Sequence, residues 1–350
     1  MQMSGGHRTG GLLIAARPVG KPYRGLHNPR KHLTRLAGNP HPMTSATLQA
    51  RTYRPDPEFP LDPPIRVTRP ADAGSSVSTA FVLSSPHSGA IYPASFRNAS
   101  KLDALSLRRS EDAFIHELYA AGPGLGAPLL EALFPRAYCD PNRAAYELDP
   151  DMFDAPLPEH VVTASSKIGA GLGTIARVVA GGMEIYKAKI PFAEAERRVE
   201  TCWRPYHDAI DELLAEARGR HGVALLLDCH SMPSVGGSHQ PDAGQRRADM
   251  VIGDFNGTSC TPRLIERVDD YLQSCGFSTT RNKPYAGGYI TQHYSRRDIG
   301  QHTLQLEINR DLYMDEDRIA RAGGFGRVQA AMTGLAELLI ACATPDFLNG

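Results

Sequence analysis

The 350-residue chain carries 38 Lys and Arg against 38 Asp and Glu, a formal net charge of zero, with 41% apolar and 22% charged residues. That balance fits an ordinary globular protein of one large domain or two smaller ones. It offers no basic stripe interleaved with aromatics for nucleic acid and no apolar run near the roughly 18 residues of a membrane span.

In chain order, residues 1–55 stand apart. They are rich in Arg, Lys, Gly and Pro, have no acid before Asp56, and show no sustained periodicity. They read as a disordered or extraneous basic leader. A transit-type address is the alternative, although Pro18, Pro22, Pro29 and Pro40 interrupt the amphipathic helix it needs, and Met43 offers a second start. Residues 54–73 are Pro-rich and expected to run extended along the surface.

From residue 74 to residue 346 strand and helix signals alternate. Strands are expected at 80–85, 132–139, 223–227, 250–253 and 303–309. Helices are expected at 106–121, at 191–220 with a kink or division at Pro205, at 262–275 and at 319–344. The strands are apolar without alternation, which predicts a single α/β domain with a mixed, mostly parallel sheet covered by helices. The cysteines at 139, 202, 229, 260, 275 and 342 form no CxxC pair, which points to reduced thiols and a cytoplasmic protein.

Ligands of open α/β sheets bind beyond the carboxyl ends of strands. Three predicted strands end in polar groups: "SSPHSG" with His87, "LLLDCHS" with His230, and "LQLEINR" with Glu307, Asn309 and Arg310. Singly each has a plain reading, a hydrogen-bonded turn histidine or a solvated arginine. Glu307 is harder to dismiss, because an ionised carboxylate is costly to bury unpaired; it needs Arg310, a metal or a raised pKa. Together they suit metal-assisted hydrolysis. Two imidazoles and one carboxylate leave a fourth zinc position open, a second carboxylate takes a proton from water, and an Arg fork such as Arg143, in "DPNR", grips a substrate carboxylate. The carboxylate ligand is sought in Glu111-Asp112, with Asp112 preferred because core-type residues follow it at helical spacing. Asp228, two residues before His230, shares its strand face and is expected to orient it.

"SSPHSG", "RRSEDAFIHELY", "AYCDPNRAAYELDPDMF", "GLGTIARVV", "PYHDAI", "LLLDCHSMPS", "DMVIGDFNGTSC", "NKPYAGGYITQHYS" and "LQLEINRDLYMDE", in that order, resemble N-formylglutamate amidohydrolases. The resemblance runs over about residues 82–316. It implies a zinc-carboxypeptidase-like fold and hydrolysis of an N-formyl amide to formate and glutamate, late in histidine breakdown. It also implies Zn²⁺ or another divalent ion on His87, Asp112 and His230, with Glu307 as the catalytic carboxylate and Asn142-Arg143 holding a substrate carboxylate. In the wider carboxypeptidase-like group a Glu follows the first ligand His by three places; here that place is Ala90, so the carboxylate comes from Asp112 or Glu111.

Two further segments are read on their own residues. In residues 283–294, Gly287 and Gly288 are expected to let backbone approach a ligand, with Tyr285 or Tyr289 lining it. "GAGLGTIARV" lacks the Lys-Ser/Thr pair of a phosphate loop, so nucleotide binding is rejected, while Arg177 is a candidate second clamp beside Arg310. Trp203 and Tyr206 read as core or subunit-contact aromatics. The expected partner is a small N-acyl amino acid, with no nucleic acid and no membrane; monomer and homo-oligomer both stay open. Another N-acyl amino acid, a carboxy-terminal peptide, or a silent binding protein of the same fold are the alternatives.

Overall fold

Residues 63–71, 78–238 and 240–350 are described by the computed structural model; the leader expected over 1–55 lies outside them. Seven strands make the central sheet: β1 (Ile65–Thr68), β2 (Phe81–Ser85), β3 (Leu129–Ala132), β4 (Ala224–Met232), β5 (Met250–Gly253), β6 (Thr279–Arg281) and β7 (Gln301–Asn309). Their spatial order is β1-β3-β2-β4-β7-β5-β6. β3, β2, β4 and β7 are mutually parallel, as are β5 and β6, whereas β1 and β5 run antiparallel to β3 and β7. The sheet is therefore mixed and mostly parallel, as the apolar strands predict. It starts upstream of residue 74, because Ile65–Thr68 of the Pro-rich segment pairs with β3 as an edge strand.

Alternate residues of the inner strands feed two cores. Leu83, Leu225, Leu227, Leu304 and Leu306 pack with α2 (Ile115–Leu118), α5 (Pro262–Ser274) and α6 (Phe325–Cys342). On the other face Val82, Ala224 and Leu226 pack with α1 (Ala104–Arg108) and α4 (Arg204–His221). The strand leucines are almost wholly buried, and each contributes about 1.5–3 kcal/mol of burial before entropy. The central strands are thus rigid supports for whatever their carboxyl ends present.

Three elements depart from expectation, and the long helix over 191–220 divides as expected. The helix over 106–121 divides into α1 and α2, because the Asp112 N–H donates to the His87 carbonyl at 3.0 Å and Phe114 then turns left-handed at φ 66°. The strand expected at 132–139 lies earlier, at β3; Pro135, which has no N–H for a ladder, instead accepts from Tyr138 and Cys139 in a turn. The 191–220 helix runs from α3 (Phe192–Arg198) through a π-helical turn, Val199–Trp203, directly into α4, with Pro205 in the first turn of α4. The π-helical turn is the division expected at Pro205, which cannot donate to a continuous α-helical ladder. The last helix begins at Phe325, after Ala320–Arg321 pairs with Met314–Asp315.

Candidate active site

The sheet registers β4 against β7 so that His230 pairs with Glu307 and Asp228 with Gln305. β4 continues past the apolar run that announces it, and β7 ends at Asn309 as expected, so these polar residues sit inside the ladder, on backbone that cannot shift without breaking it. Asp228 and His230 share a face, and Asp228 Oδ2 lies 2.9 Å from His230 Nε2. Gln305 and Glu307 also share a face, and Gln305 Nε2 donates to Glu307 Oε1 at 3.0 Å. Burial pushes the Glu307 carboxyl up to about 7, with the neighbouring His230 pulling the other way.

Loops supply the rest. His87 follows β2 in a turn where a side chain at Gly89 would meet the Phe134 carbonyl at 2.1 Å, so only glycine fits. Its Nε2 is 2.7 Å from Asp140 Oδ1. Asp140 also accepts from Arg136 Nη2 at 2.7 Å and from the Asn142 N–H at 2.8 Å. Asp112 is delivered by the break between α1 and α2. Its Oδ2 is 3.0 Å from His230 Nδ1 and 3.3 Å from His87 Nδ1, and its Oδ1 accepts from Ser231 Oγ at 3.2 Å and Arg310 Nη2 at 3.0 Å.

His87, Asp112 and His230 offer ligand atoms within 4.8 Å of one another, and the surrounding chemistry fits a divalent metal. Each imidazole has its Nε2 on a carboxylate, which assigns the proton there. With the rings neutral, as metal ligands must be, the Nδ1 lone pairs of both would face Asp112 Oδ2, three donors to one ion; without it, a proton on His230 Nδ1 bridges to Asp112 instead. Asp112, Asp140, Asp228 and Glu307 are all buried, as are the two guanidiniums of the cluster except part of Arg136. Four carboxylates against Arg136 and Arg310 leave two negative charges when all are ionised, the charge a divalent ion cancels. Burial alone would raise the Asp112 carboxyl, but His230 and His87 outweigh it and hold it well below the usual range. Burial likewise opposes a charged His230, yet Asp228 and Asp112 push it well above its ordinary value.

A cavity of about 280 Å³ opens over this cluster, lined among others by Arg136, Asn142, Arg143, Lys167, Tyr285 and Glu307. Arg143 is buried with Nε on the Leu172 carbonyl at 2.8 Å and Nη1 on the Asn142 carbonyl at 2.7 Å; no carboxylate pairs with it among the described residues. Asn142 is held in the wall, its Oδ1 accepting from the Ile290 N–H at 2.8 Å. A Cβ at Gly288 would meet Asn142 Nδ2 at 2.4 Å. Gly288 is thus packed closely on Asn142, and Gly287 and Gly288 both line the cavity.

Two expected positions, Arg177 and Tyr289, lie outside the cavity lining, and Arg310 is engaged within it. Arg310 lines the cavity but uses Nη2 on Asp112 and Nε on Ser231, which makes it a brace for Asp112. Arg177 pairs with Asp149 at 2.8 Å and is absent from the lining, where its neighbours Ala176 and Val178 appear. Tyr289 is also absent from the lining; it stacks on His293 with centroids 4.8 Å apart, while Tyr285 faces the cavity. Glu111 faces away, bonded to Arg108 and Tyr92. Trp203 stacks on His207 at 3.8 Å and donates to the Arg143 carbonyl. Sequence reasoning passed over Asp140, Arg136, Gln305 and Lys167. Asp140 stands two residues before Asn142 in the same motif, and Gln305 shares Glu307's strand face, so both had a signal; Lys167, in a Ser- and Gly-rich stretch, had none.

The sequence profile of the N-formylglutamate amidohydrolase family matches residues 79–314. The chain is 33% identical over 239 residues to the N-formylglutamate deformylase of Pseudomonas putida, spanning 67% of this chain and 82% of that one. It is 31% identical over 240 residues to the N-formylglutamate deformylase of Pseudomonas aeruginosa, with coverage of 67% and 82%. The crystal structure of N-formylglutamate amidohydrolase from Ralstonia eutropha JMP134 superposes with a TM-score of 0.73 at 33% identity, over 81% of this chain and 99% of that one. A gene product of Agrobacterium tumefaciens shares the fold, with a TM-score of 0.53 at 20% identity over 79% and 94%.

Proposed function

The chain belongs to the N-formylglutamate amidohydrolase family, and from that premise we infer that it hydrolyses the formyl amide of N-formyl-L-glutamate to formate and L-glutamate, with a divalent metal, zinc by donor type, on His87, Asp112 and His230. The observation that carries the metal is the convergence of two imidazole Nδ1 atoms on Asp112 Oδ2. Imidazole and carboxylate donors suit zinc among several divalent ions. When bound, the ion supplies Lewis-acid polarisation of the formyl oxygen and makes water a better acid at neutral pH.

The protein's own groups do the remainder. Glu307 has Oε1 engaged by Gln305, so Oε2 is the oxygen that takes a proton from the attacking water. As the water oxygen bonds to the formyl carbon and the C–N bond breaks, the same carboxyl returns that proton to the departing nitrogen. A carboxyl whose affinity for protons lies near neutrality serves both halves of that transfer. Asp140 and Asp228 fix the two imidazoles, and Arg310 and Ser231 hold Asp112 from behind. Arg143, buried without a carboxylate, meets the substrate α-carboxylate. The six cysteines are free thiols, the form a reducing compartment maintains, and on that ground we place the enzyme in the cytoplasm. No helix among the described residues is long and apolar enough to cross a membrane.

The test is formate release from N-formyl-L-glutamate by protein of measured metal content. We expect one metal per chain, loss of turnover on chelation and recovery on adding zinc. Undiminished turnover after complete metal removal would overturn the metal assignment, and absence of formate release from metal-loaded protein would overturn the substrate.

A further inference from the structure

The cavity's charges are not exhausted by the metal cluster. Arg136 is paired with Asp140, Arg310 with Asp112, and Arg109, at the rim, lies 3.8 Å from Asp317. Two lining cations remain without a carboxylate within salt-bridge distance among the described residues: Arg143 and Lys167. The substrate inferred above carries two carboxylates. A buried guanidinium and a more exposed ammonium facing one cavity, neither in an ion pair among the described residues, favour the entry of a ligand with two negative groups.

Lys167 is held in place by its backbone. Ser165 caps the short helix Ser166–Gly169 by accepting from the Ile168 N–H at 3.0 Å. The Leu172 N–H donates to the Lys167 carbonyl at 2.8 Å, and the Leu172 carbonyl accepts from Arg143 Nε at 2.8 Å. One residue therefore joins the Lys167 backbone to the Arg143 guanidinium. Glu147, an acid on the neighbouring segment, accepts from Ser165 Oγ.

The two cations differ in depth. Arg143 is buried beside Asn142, whose side chain touches His230, whereas Lys167 is exposed. In N-formylglutamate the α-carboxylate shares its carbon with the scissile nitrogen, and the side-chain carboxylate lies farther off along two methylenes. We propose that Lys167 is a specificity-determining residue that reads the side-chain carboxylate of the substrate, while Arg143 takes the α-carboxylate. The proposal rests on the N-formylglutamate reading of the site.

The experiment compares N-formyl-L-glutamate with N-formyl-L-glutamine, which has nearly the same shape and no side-chain charge, on wild type, Lys167→Met, Lys167→Arg and Arg143→Ala, all metal-loaded. Losing a charge-assisted bond should lower kcat/KM of Lys167→Met on N-formylglutamate about tenfold to a hundredfold, mostly through KM. Its value on N-formylglutamine should stay within about twofold, so the preference for the charged substrate collapses. Lys167→Arg should keep that preference, and Arg143→Ala should lose rate on both substrates alike. A Lys167→Met enzyme that keeps the wild-type preference, or falls equally on both substrates, overturns the proposal. Wild-type protein releasing formate from neither substrate overturns the activity reading itself and this assignment with it.

Discussion

The site has a strand-built half and a loop-built half, and they are made by different means. Asp228, His230, Gln305 and Glu307 sit on two neighbouring parallel strands in one register, so their positions follow from backbone hydrogen bonds and a leucine core. His87, Asp112, Asp140, Asn142 and Arg143 sit on turns that hold one another: Asp112 on the His87 carbonyl, Asp140 on His87 and on the Asn142 N–H, Trp203 on the Arg143 carbonyl. Removing a side chain from the strand half deletes a function and leaves the frame. Removing one from the loop half deletes a function and loosens its neighbours.

The largest effect that sharpens this contrast is expected at the metal. His230→Ala should remove bound metal and reduce formate release to background while the thermal midpoint stays within a few degrees, because β4 keeps its ladder on both sides. Metal analysis and a melting curve check it together; one metal retained per chain would remove His230 from the ligand set. Next comes Glu307→Gln, which keeps shape and hydrogen bonding but cannot accept a proton. It should retain metal and lose about 10²–10⁴-fold in kcat. Near-normal turnover there would assign the proton transfer to another group.

A smaller pair of effects separates the halves directly. Asp228→Asn and Asp140→Asn each weaken the carboxylate behind one imidazole, and loss of such a partner costs about 10–100-fold in metal affinity. Asp140 also fixes the Asn142 N–H and Arg136, so Asp140→Asn should raise KM even at saturating metal. Asp228→Asn should leave KM unchanged once metal is restored. Equal KM values for the two metal-saturated variants would mean that the loop half is as rigid as the strands.

The same contrast explains what was legible in the sequence. His230 and Glu307 announce themselves because a run of aliphatics ending in polar residues has one economical reading, and alternation then gives Asp228. Gln305 obeys the same alternation. The two cores, one on each face of the sheet, follow from apolar runs in the strands that do not alternate. The loop half is less legible because its geometry is tertiary. Asp112 lies in a stretch with helical spacing, and only its bond to the His87 carbonyl, 25 residues away, explains why the helix breaks there. Arg310 looks like a free clamp in sequence because its partner, Asp112, is 198 residues distant. Lys167 becomes visible only once Leu172 is seen to join it to Arg143.

Arg177 is the smallest expected effect and the closest comparison with Arg143. Both arginines lie in loop segments next to the cavity, and both have the fork that grips a carboxylate. Arg143 has only carbonyl partners among the described residues, whereas Arg177 already holds Asp149 at 2.8 Å and lies 3.7 Å from Glu184. Along the chain Ala176, Val178 and Ala180 line the cavity, so the intervening Arg177 points to the other face. Its side chain is about one-third exposed, at 36%, and solvent-screened pairs of this kind contribute about 0–1 kcal/mol. Arg177→Ala should therefore lower stability by no more than about that amount and leave kcat/KM on N-formylglutamate within about twofold, against the loss of tenfold or more expected of Arg143→Ala. Denaturant melts and steady-state rates on the same preparations measure both. A tenfold rise in KM for Arg177→Ala with kcat unchanged would return Arg177 to the substrate, and would mean that Asp149 releases it when the cavity fills.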